Sequence, residues 1–267
     1  MKCKIVFSDI DGTFLTTTHQ ISAKNALAVQ NLLKNNILFS FVSARMPKAI
    51  YGITKSLGID IPIVCYSGAL ILTPEKNIVY DKRISLIDTI NVLIKIKEFF
   101  PKAVVNYYAA ENWYVEDKEN IRIKQEEKIV NATAYAAKFN QLINEGILPN
   151  KILCMADAKN CTEMENMLKK IYPQLNIVRS ADGLLEIMDK SVSKSQAIKI
   201  LLNYYKFNRT ETIAFGDNYN DMDMLNYVAL GVAMQNAPQE IRSMAKLVTK
   251  SNDDDGIYAA LKNLHLI

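Results

Sequence analysis

Short runs of continuous apolar residues alternate with stretches of helical periodicity at both ends of this chain. "KIVF" leading to Ser8, "ILFSFVS" from Ile37 to Ser43 and "IPIVCY" up to Tyr66 read as strands that need apolar cover on both faces. Between the first two, "SAKNALAVQNLLKNN" opens on the N-cap residue Ser22 and sets Ala26, Val29, Leu32 and Leu33 at helical spacing. A further helix starts at Pro47 and stops at Gly58. Buried strands joined by helices predict an α/β fold, a Rossmann-like parallel sheet with helices on both faces.

The rhythm breaks after Arg83 and resumes after Val192. In between lie a helix from Ser85 to Phe99, strand-like "AVVNYYA" and "WYVE", two helical stretches, "KILCMA", a helix around Cys161 to Ile171, and the paired strands "NIVRS" and "LLEIMD". Beyond it come a helix from Ser193 to Tyr205, strand "TIAFGD", a helix from Asp221 to Tyr227, strand "LGVAM", a helix opened by Pro238, and a last helix near Gly256 to Leu264. The expected organisation is a core split in sequence, residues 1–83 and 190–267, with an inserted α/β cap domain at 84–189.

With 267 residues, 49% hydrophobic and 22% charged, the chain has room for two such domains. The net charge of +4 is scattered, with no basic run to argue for nucleic acid, and suits a small anionic ligand equally well. No apolar run approaches a membrane span and no leader precedes the first strand, so a cytoplasmic protein is expected. Cys3, Cys65, Cys154 and Cys161 form no Cys-x-x-Cys pair and read as small buried hydrophobes. His19, a loop residue, and His265, in the tail, cannot alone build a zinc site.

Ligands of open parallel sheets bind beyond the carboxyl ends of the strands. There the sequence puts Asp9, Asp11, Gly12 and Thr13 after one strand, Ser43, Ala44 and Arg45 after another, and Asp217, Asn218, Asn220 and Asp221 after a third. Lys194 opens the helix that restarts the core. Each alone reads as a polar turn, a cap or a solvated lysine; together they make one chemistry. Asp9 and Asp217, with Asp221 a further candidate, suit a hard divalent cation, Mg²⁺ first, which would offset their repulsion. A held, ionised Asp9 can attack phosphorus. Lys194 and Ser43 can hold phosphate oxygens. Asp11 can protonate the leaving oxygen and later deprotonate a water, and Gly12 lets the chain turn tightly between them.

Asp9-Ile10-Asp11-Gly12-Thr13, Ser43-Ala44-Arg45, Lys194 and Gly216-Asp217-Asn218-Tyr219-Asn220-Asp221 resemble the four motifs of the haloacid dehalogenase superfamily in order and placement. With its large α/β insert, the chain resembles the Cof-like branch over essentially its whole length. The resemblance implies a Mg²⁺-dependent phosphatase of sugar phosphates and related small metabolites, working through an aspartyl-phosphate. Asp9 would be the nucleophile and Asp11 the acid/base. The Asp9 carboxylate, the Asp11 main-chain carbonyl and Asp217 would be metal ligands, with Asp221 either direct or one step removed. Ser43, Lys194 and Asn220 would contact phosphate, and the cap would close over the substrate and select the leaving group. A phosphomutase or phosphotransferase on sugar phosphates, sharing the motifs, and a non-catalytic metabolite-binding protein are the alternatives.

Departures from the pattern are Ala44 for the usual Gly, which keeps the main-chain N–H for phosphate, Ser67-Gly68 for Asn-Gly, and Ser195 after the lysine. Tyr107, Tyr108, Trp113 and Tyr114 read as packing before they read as a sugar pocket. "SNDDDG", Ser251 to Gly256, reads as a solvated helix N-terminus without calcium-site spacing, and "EDKENIRIKQEEK" as an exposed helix face.

Overall fold

The computed structural model describes residues 2–267. In chain order its elements are β1 (Ile5–Ser8), α1 (Ala23–Lys34), β2 (Leu38–Val42), α2 (Pro47–Leu57), β3 (Ile63–Cys65), β4 (Leu70–Leu72) and β5 (Ile78–Asp81). There follow α3 (Leu86–Phe99), β6 (Val104–Ala109), β7 (Asn112–Val115), α4 (Ile121–Val130), β8 (Tyr135–Ala136), α5 (Phe139–Asn144), β9 (Lys151–Met155), α6 (Ala158–Ile171), β10 (Leu175–Ala181) and β11 (Leu184–Asp189). The chain ends with α7 (Lys194–Tyr205), β12 (Thr212–Gly216), α8 (Met222–Tyr227), β13 (Leu230–Ala233), α9 (Gln239–Met244), β14 (Leu247–Val248) and α10 (Gly256–Asn263). Two compact units result. Of the described residues, one holds 2–44, Ile53–Tyr80 and Ser193–Ile267; the other holds Arg45–Gly52 and Asp81–Val192.

The first unit is built on an eight-stranded sheet in the order β14-β13-β12-β1-β2-β3-β4-β5. The pairs from β14 to β3 are parallel, and β4 turns back antiparallel on β3. The apolar strand runs are what a sheet covered on both faces requires. On one face Ile5, Phe7, Val42, Ala214 and Ala233 pack with Ala197, Ile198 and Leu201 of α7 and Met224 and Leu225 of α8. On the other, Phe14 meets Phe41 edge-on at 4.8 Å, and Phe41 meets Phe39 at 5.1 Å. The register fixes the working edge: Ser8 of β1 pairs with Phe41 of β2 and Phe215 of β12, so three neighbouring strands end at one level.

The second unit is a six-stranded sheet in the order β10-β11-β9-β6-β7-β8. Val92 and Ile96 of α3 and Cys161, Met164 and Leu168 of α6 bury one face against Ile152, Cys154 and Ile187. Its aromatic residues are mostly packing. Trp113 is fully buried, stacks on Tyr108 at 5.7 Å and donates to Asn106 Oδ1, and the Tyr107 hydroxyl donates to the Ile147 carbonyl. The Glu116–Lys128 stretch is not wholly an exposed face: Ile123 is buried, and burial raises the Glu126 carboxyl, with Lys151 and Arg45 opposing. The four cysteines are buried and none is in a disulfide. Among the described residues no helix is long and apolar enough to cross a membrane.

Candidate active site

β1 delivers Asp9 at its carboxyl end, where the Asp9 N–H donates to the Phe215 carbonyl at 3.0 Å and ties the loop to β12. The next residues do not continue the strand. Asp11 has φ −82° and ψ 122°, and Gly12 has φ 77° and ψ −3°. These are the dihedrals of a type II turn, whose third position favours glycine. A second reason for glycine is space. A Cβ at Gly12 would lie 2.4 Å from Asp217 Oδ2, so the turn can approach that carboxylate only without one. Thr13 Oγ1 donates to Asp217 Oδ1 at 2.6 Å. The first motif is thus joined to a residue 204 positions away.

Lys194 comes to the same place as the first residue of α7. Ser193 caps that helix by accepting from the Gln196 N–H, as Ser at an N-cap does. α7 approaches the loop after β3 so closely that a Cβ at Gly68 (φ +117°) would lie 2.4 Å from the Ser193 carbonyl. The lysine is not a solvated first-turn residue. It is 1% exposed, and its Nζ donates to Asp9 Oδ1 and Asp221 Oδ1, both at 2.5 Å. Asp221 is fully buried, and its other oxygen accepts from the N–H groups of Asp217 (2.9 Å) and Asn218 (3.0 Å). Both Asp221 oxygens are therefore engaged, one orienting the lysine and one shaping the loop that presents Asp217.

The electrostatics follow from crowding. Burial pushes the Asp9 carboxyl well above its ordinary range; Lys194 opposes this, and Asp221 and Asp217 add to it. Burial pushes Asp217 up to about 6 against the Thr13 hydrogen bond. Burial alone would lower Lys194, but the Asp221 and Asp9 carboxylates outweigh it and hold the ammonium above its ordinary value. Oxygens of Asp9, Asp217 and Asp221 all lie within 4.8 Å of one another. Ionising all three carboxyl groups against one ammonium would leave a net two negative charges in the cluster, which is the crowding that raises Asp9 and Asp217. Hard oxygen donors so gathered, with uncompensated charge, fit a hard divalent cation.

The remaining expected residues occupy the same sheet end. Asp11 is exposed in the turn, with His19 Nδ1 3.5 Å from its Oδ1. Ser43 is buried just past β2; its N–H donates to the Val64 carbonyl, and its carbonyl accepts from the Ser67 N–H. Ala44 follows it half-buried, and Asn220 is exposed on the 3-10 turn Tyr219–Asp221. Sequence reasoning missed three supporting side chains. Asp223 Oδ2 accepts from the Ser195 N–H in the first turn of α7 at 2.8 Å. Asn236 Nδ2 donates to the Gly12 carbonyl, and Asn252 Nδ2 donates to the Leu15 carbonyl. Each lies far in sequence from the group it serves, and an isolated Asp or Asn carries no local signal of such a role.

Comparison with known proteins agrees along the whole chain. A family model described as haloacid dehalogenase-like hydrolase matches residues 6–261. The "Putative phosphatase" of Haemophilus influenzae is 37% identical, with 98% of each chain covered. The crystal structure of a haloacid dehalogenase-like hydrolase from Bacteroides thetaiotaomicron superposes with a TM-score of 0.90 at 24% identity, over 98% of this chain and all of that one. The structure of a sugar phosphatase of haloacid dehalogenase subclass IIB superposes with a TM-score of 0.84 at 23% identity, over 99% of this chain and all of that one.

Proposed function

The chain belongs to the haloacid dehalogenase-like hydrolases, and from that premise we propose that this phosphomonoesterase is a Mg²⁺-dependent phosphatase of small phosphorylated metabolites, sugar phosphates first among them. The observation that carries the reading is the buried lysine shared by Asp9 and Asp221, with Asp217 alongside. It leaves Asp9 oriented, at a strand end, beside an ammonium that can also take a phosphate oxygen. The sugar-phosphate class rests on the motifs and insert of the Cof-like branch, and a sugar phosphatase shares the fold.

In the proposed reaction an Asp9 carboxylate oxygen attacks phosphorus while the bond from phosphorus to the ester oxygen breaks. Asp11 gives its proton to the departing alkoxide. An aspartyl-phosphate on Asp9 results, and the alcohol leaves. Asp11, now a carboxylate, takes a proton from a water whose oxygen attacks phosphorus, which releases phosphate and restores Asp9. Lys194, the Ser43 hydroxyl, the Ala44 N–H and Asn220 hold the non-bridging oxygens while charge spreads over them. Asp9, Asp217 and the Asp11 carbonyl would hold Mg²⁺, and Asp221 would act through Lys194 and the Asp217 N–H. When bound, the ion supplies positive charge that keeps Asp9 ionised and balances the transferring phosphoryl group.

The test is a phosphate-release screen over sugar phosphates, polyol phosphates, nucleotides and pyridoxal phosphate. Activity is expected to need Mg²⁺, to vanish in chelator and to return when Mg²⁺ is restored. Ca²⁺ should serve poorly, because it takes more ligands at longer distances. Full activity in excess chelator would exclude the mechanism. Isomerisation of a sugar phosphate without phosphate release would replace hydrolysis by a mutase reaction.

A further inference from the structure

The acidic segment "SNDDDG" is not simply a solvated helix start. Asn252 is 3% exposed, and its side-chain Nδ2 donates to the Leu15 carbonyl at 2.9 Å. Its main-chain N–H donates to Asn236 Oδ1 at 3.1 Å, and Asn236 Nδ2 donates in turn to the Gly12 carbonyl at 2.8 Å. Next to it, Asp253 accepts from the Thr17 N–H at 2.8 Å and from the Thr17 hydroxyl at 2.6 Å. Three residues from the C-terminal part of the chain therefore hold three points, Gly12, Leu15 and Thr17, of the loop that carries Asp11.

We propose that Asn236 and Asn252 form an amide relay that positions Asp11 for proton transfer. The reason lies in the turn. Asp11 and Gly12 hold type II dihedrals, and the competing type I turn differs by a flip of the peptide between them. That flip would send the Asp11 carbonyl, a proposed metal ligand, to the opposite side, and slack in the rest of the loop would shift the Cα from which the Asp11 side chain projects. On the N-terminal side the Asp9 N–H is fixed to β12. On the C-terminal side the grip on the Gly12 carbonyl fixes the next peptide, and the grip on Leu15 fixes the end of the loop. Asparagine suits the relay position because one amide both donates and accepts. An aspartate at 236 would still accept from the Asn252 N–H but would set a carboxylate against the Gly12 carbonyl.

The proposal rests on the acid role given to Asp11, and its test separates the two. Asn236 is exposed, so Asn236→Ala and Asn236→Asp should fold. Two quantities are read on the full chain: amide hydrogen exchange across residues 11–17, and kcat for a sugar phosphate and for 4-nitrophenyl phosphate. Both variants are expected to exchange faster in that loop. They should lose ~10- to 100-fold in kcat on the sugar phosphate, as small misplacement of a catalytic group does. The loss should be smaller on the aryl ester, whose leaving group needs less protonation, and Asn236→Asp should be the worse of the two. Unchanged exchange across residues 11–17 overturns the relay. So does an unaltered leaving-group preference in Asn236→Ala when Asp11→Asn alters it. If Asp11→Asn itself leaves that preference untouched, the acid role falls, and faster loop exchange in Asn236→Ala then supports the grip on the loop alone.

Discussion

Gly12 shows how much a single position carries here. Its positive φ and the 2.4 Å approach of Asp217 to where a Cβ would be both exclude a side chain. Gly12→Ala should therefore push the Asp217 carboxylate aside or unmake the turn. We expect a kcat loss of ~10²-fold, in line with other displaced catalytic groups, together with a higher Mg²⁺ requirement in a metal titration. An unchanged requirement would mean that Asp217 is not a ligand. Asp9→Asn makes a different statement. It removes the proposed nucleophile, so turnover should fall at least ~10³-fold. It also removes a carboxyl whose ionisation burial, Asp221 and Asp217 all oppose, while Lys194 keeps Asp221 as partner. The melting temperature in chelator should therefore not fall below the parent's, and activity within tenfold of the parent's would sink the assignment of Asp9 as nucleophile.

At the scale of elements, the first turn of α7 is the joint between the lysine and the rest of the site. Its orphan N–H groups are met twice: Ser193 serves Gln196, and Asp223 of α8 serves Ser195. The first was legible, because Ser before an apolar-periodic run marks a helix start. The second was not, because Asp223 lies 28 residues on and looks like an ordinary first-turn acid of its own helix. Asp223→Ala should cost about 1 kcal/mol of stability, the usual worth of a lost cap, read by urea unfolding. It should also lower kcat more than it raises KM if the lysine it steadies holds the transferring phosphoryl group as proposed. Asp223→Asn, which still accepts, should restore most of both. Equal loss in the two variants would show that charge at 223 matters and the cap does not.

Across the whole molecule, burial holds weak acids in their neutral form. Burial pushes the Cys3 thiol from 9.0 up to about 11 and the Tyr205 hydroxyl from 10.0 up to about 12, and it raises Cys154 further still. The unfolded chain gives up the Cys3 proton near 9.0 and the folded chain near 11, so between those values the native state binds more protons. Stability should be fully present below pH 9 and fall from there towards pH 11. Urea midpoints at pH 7, 9 and 11 would show it. Cys3→Ala should flatten the fall, and a mutant profile parallel to the parent's would exclude Cys3 as a source.

The sequence by itself determined the strand–helix rhythm and the parallel character of the main sheet, and it singled out Asp9, Lys194, Asp217 and Asp221 as candidates, which the fold brings together. Apolar run length, helical spacing and cap residues are local properties, and polar residues at strand ends stand out against apolar runs. It did not show the antiparallel turn-back of β4 on β3, because a run of three apolar residues carries no orientation. Nor did it reveal that Lys194 is buried, that Asp221 spends both oxygens on neighbours, or that Asn236 and Asn252 reach the loop that carries Asp11. Those are decided when the parallel register brings β1 and β12 to one level and joins groups 185 to 237 residues apart. A hydrogen bond depends on distances of about 3 Å, and only the packed sheet sets distances across such separations.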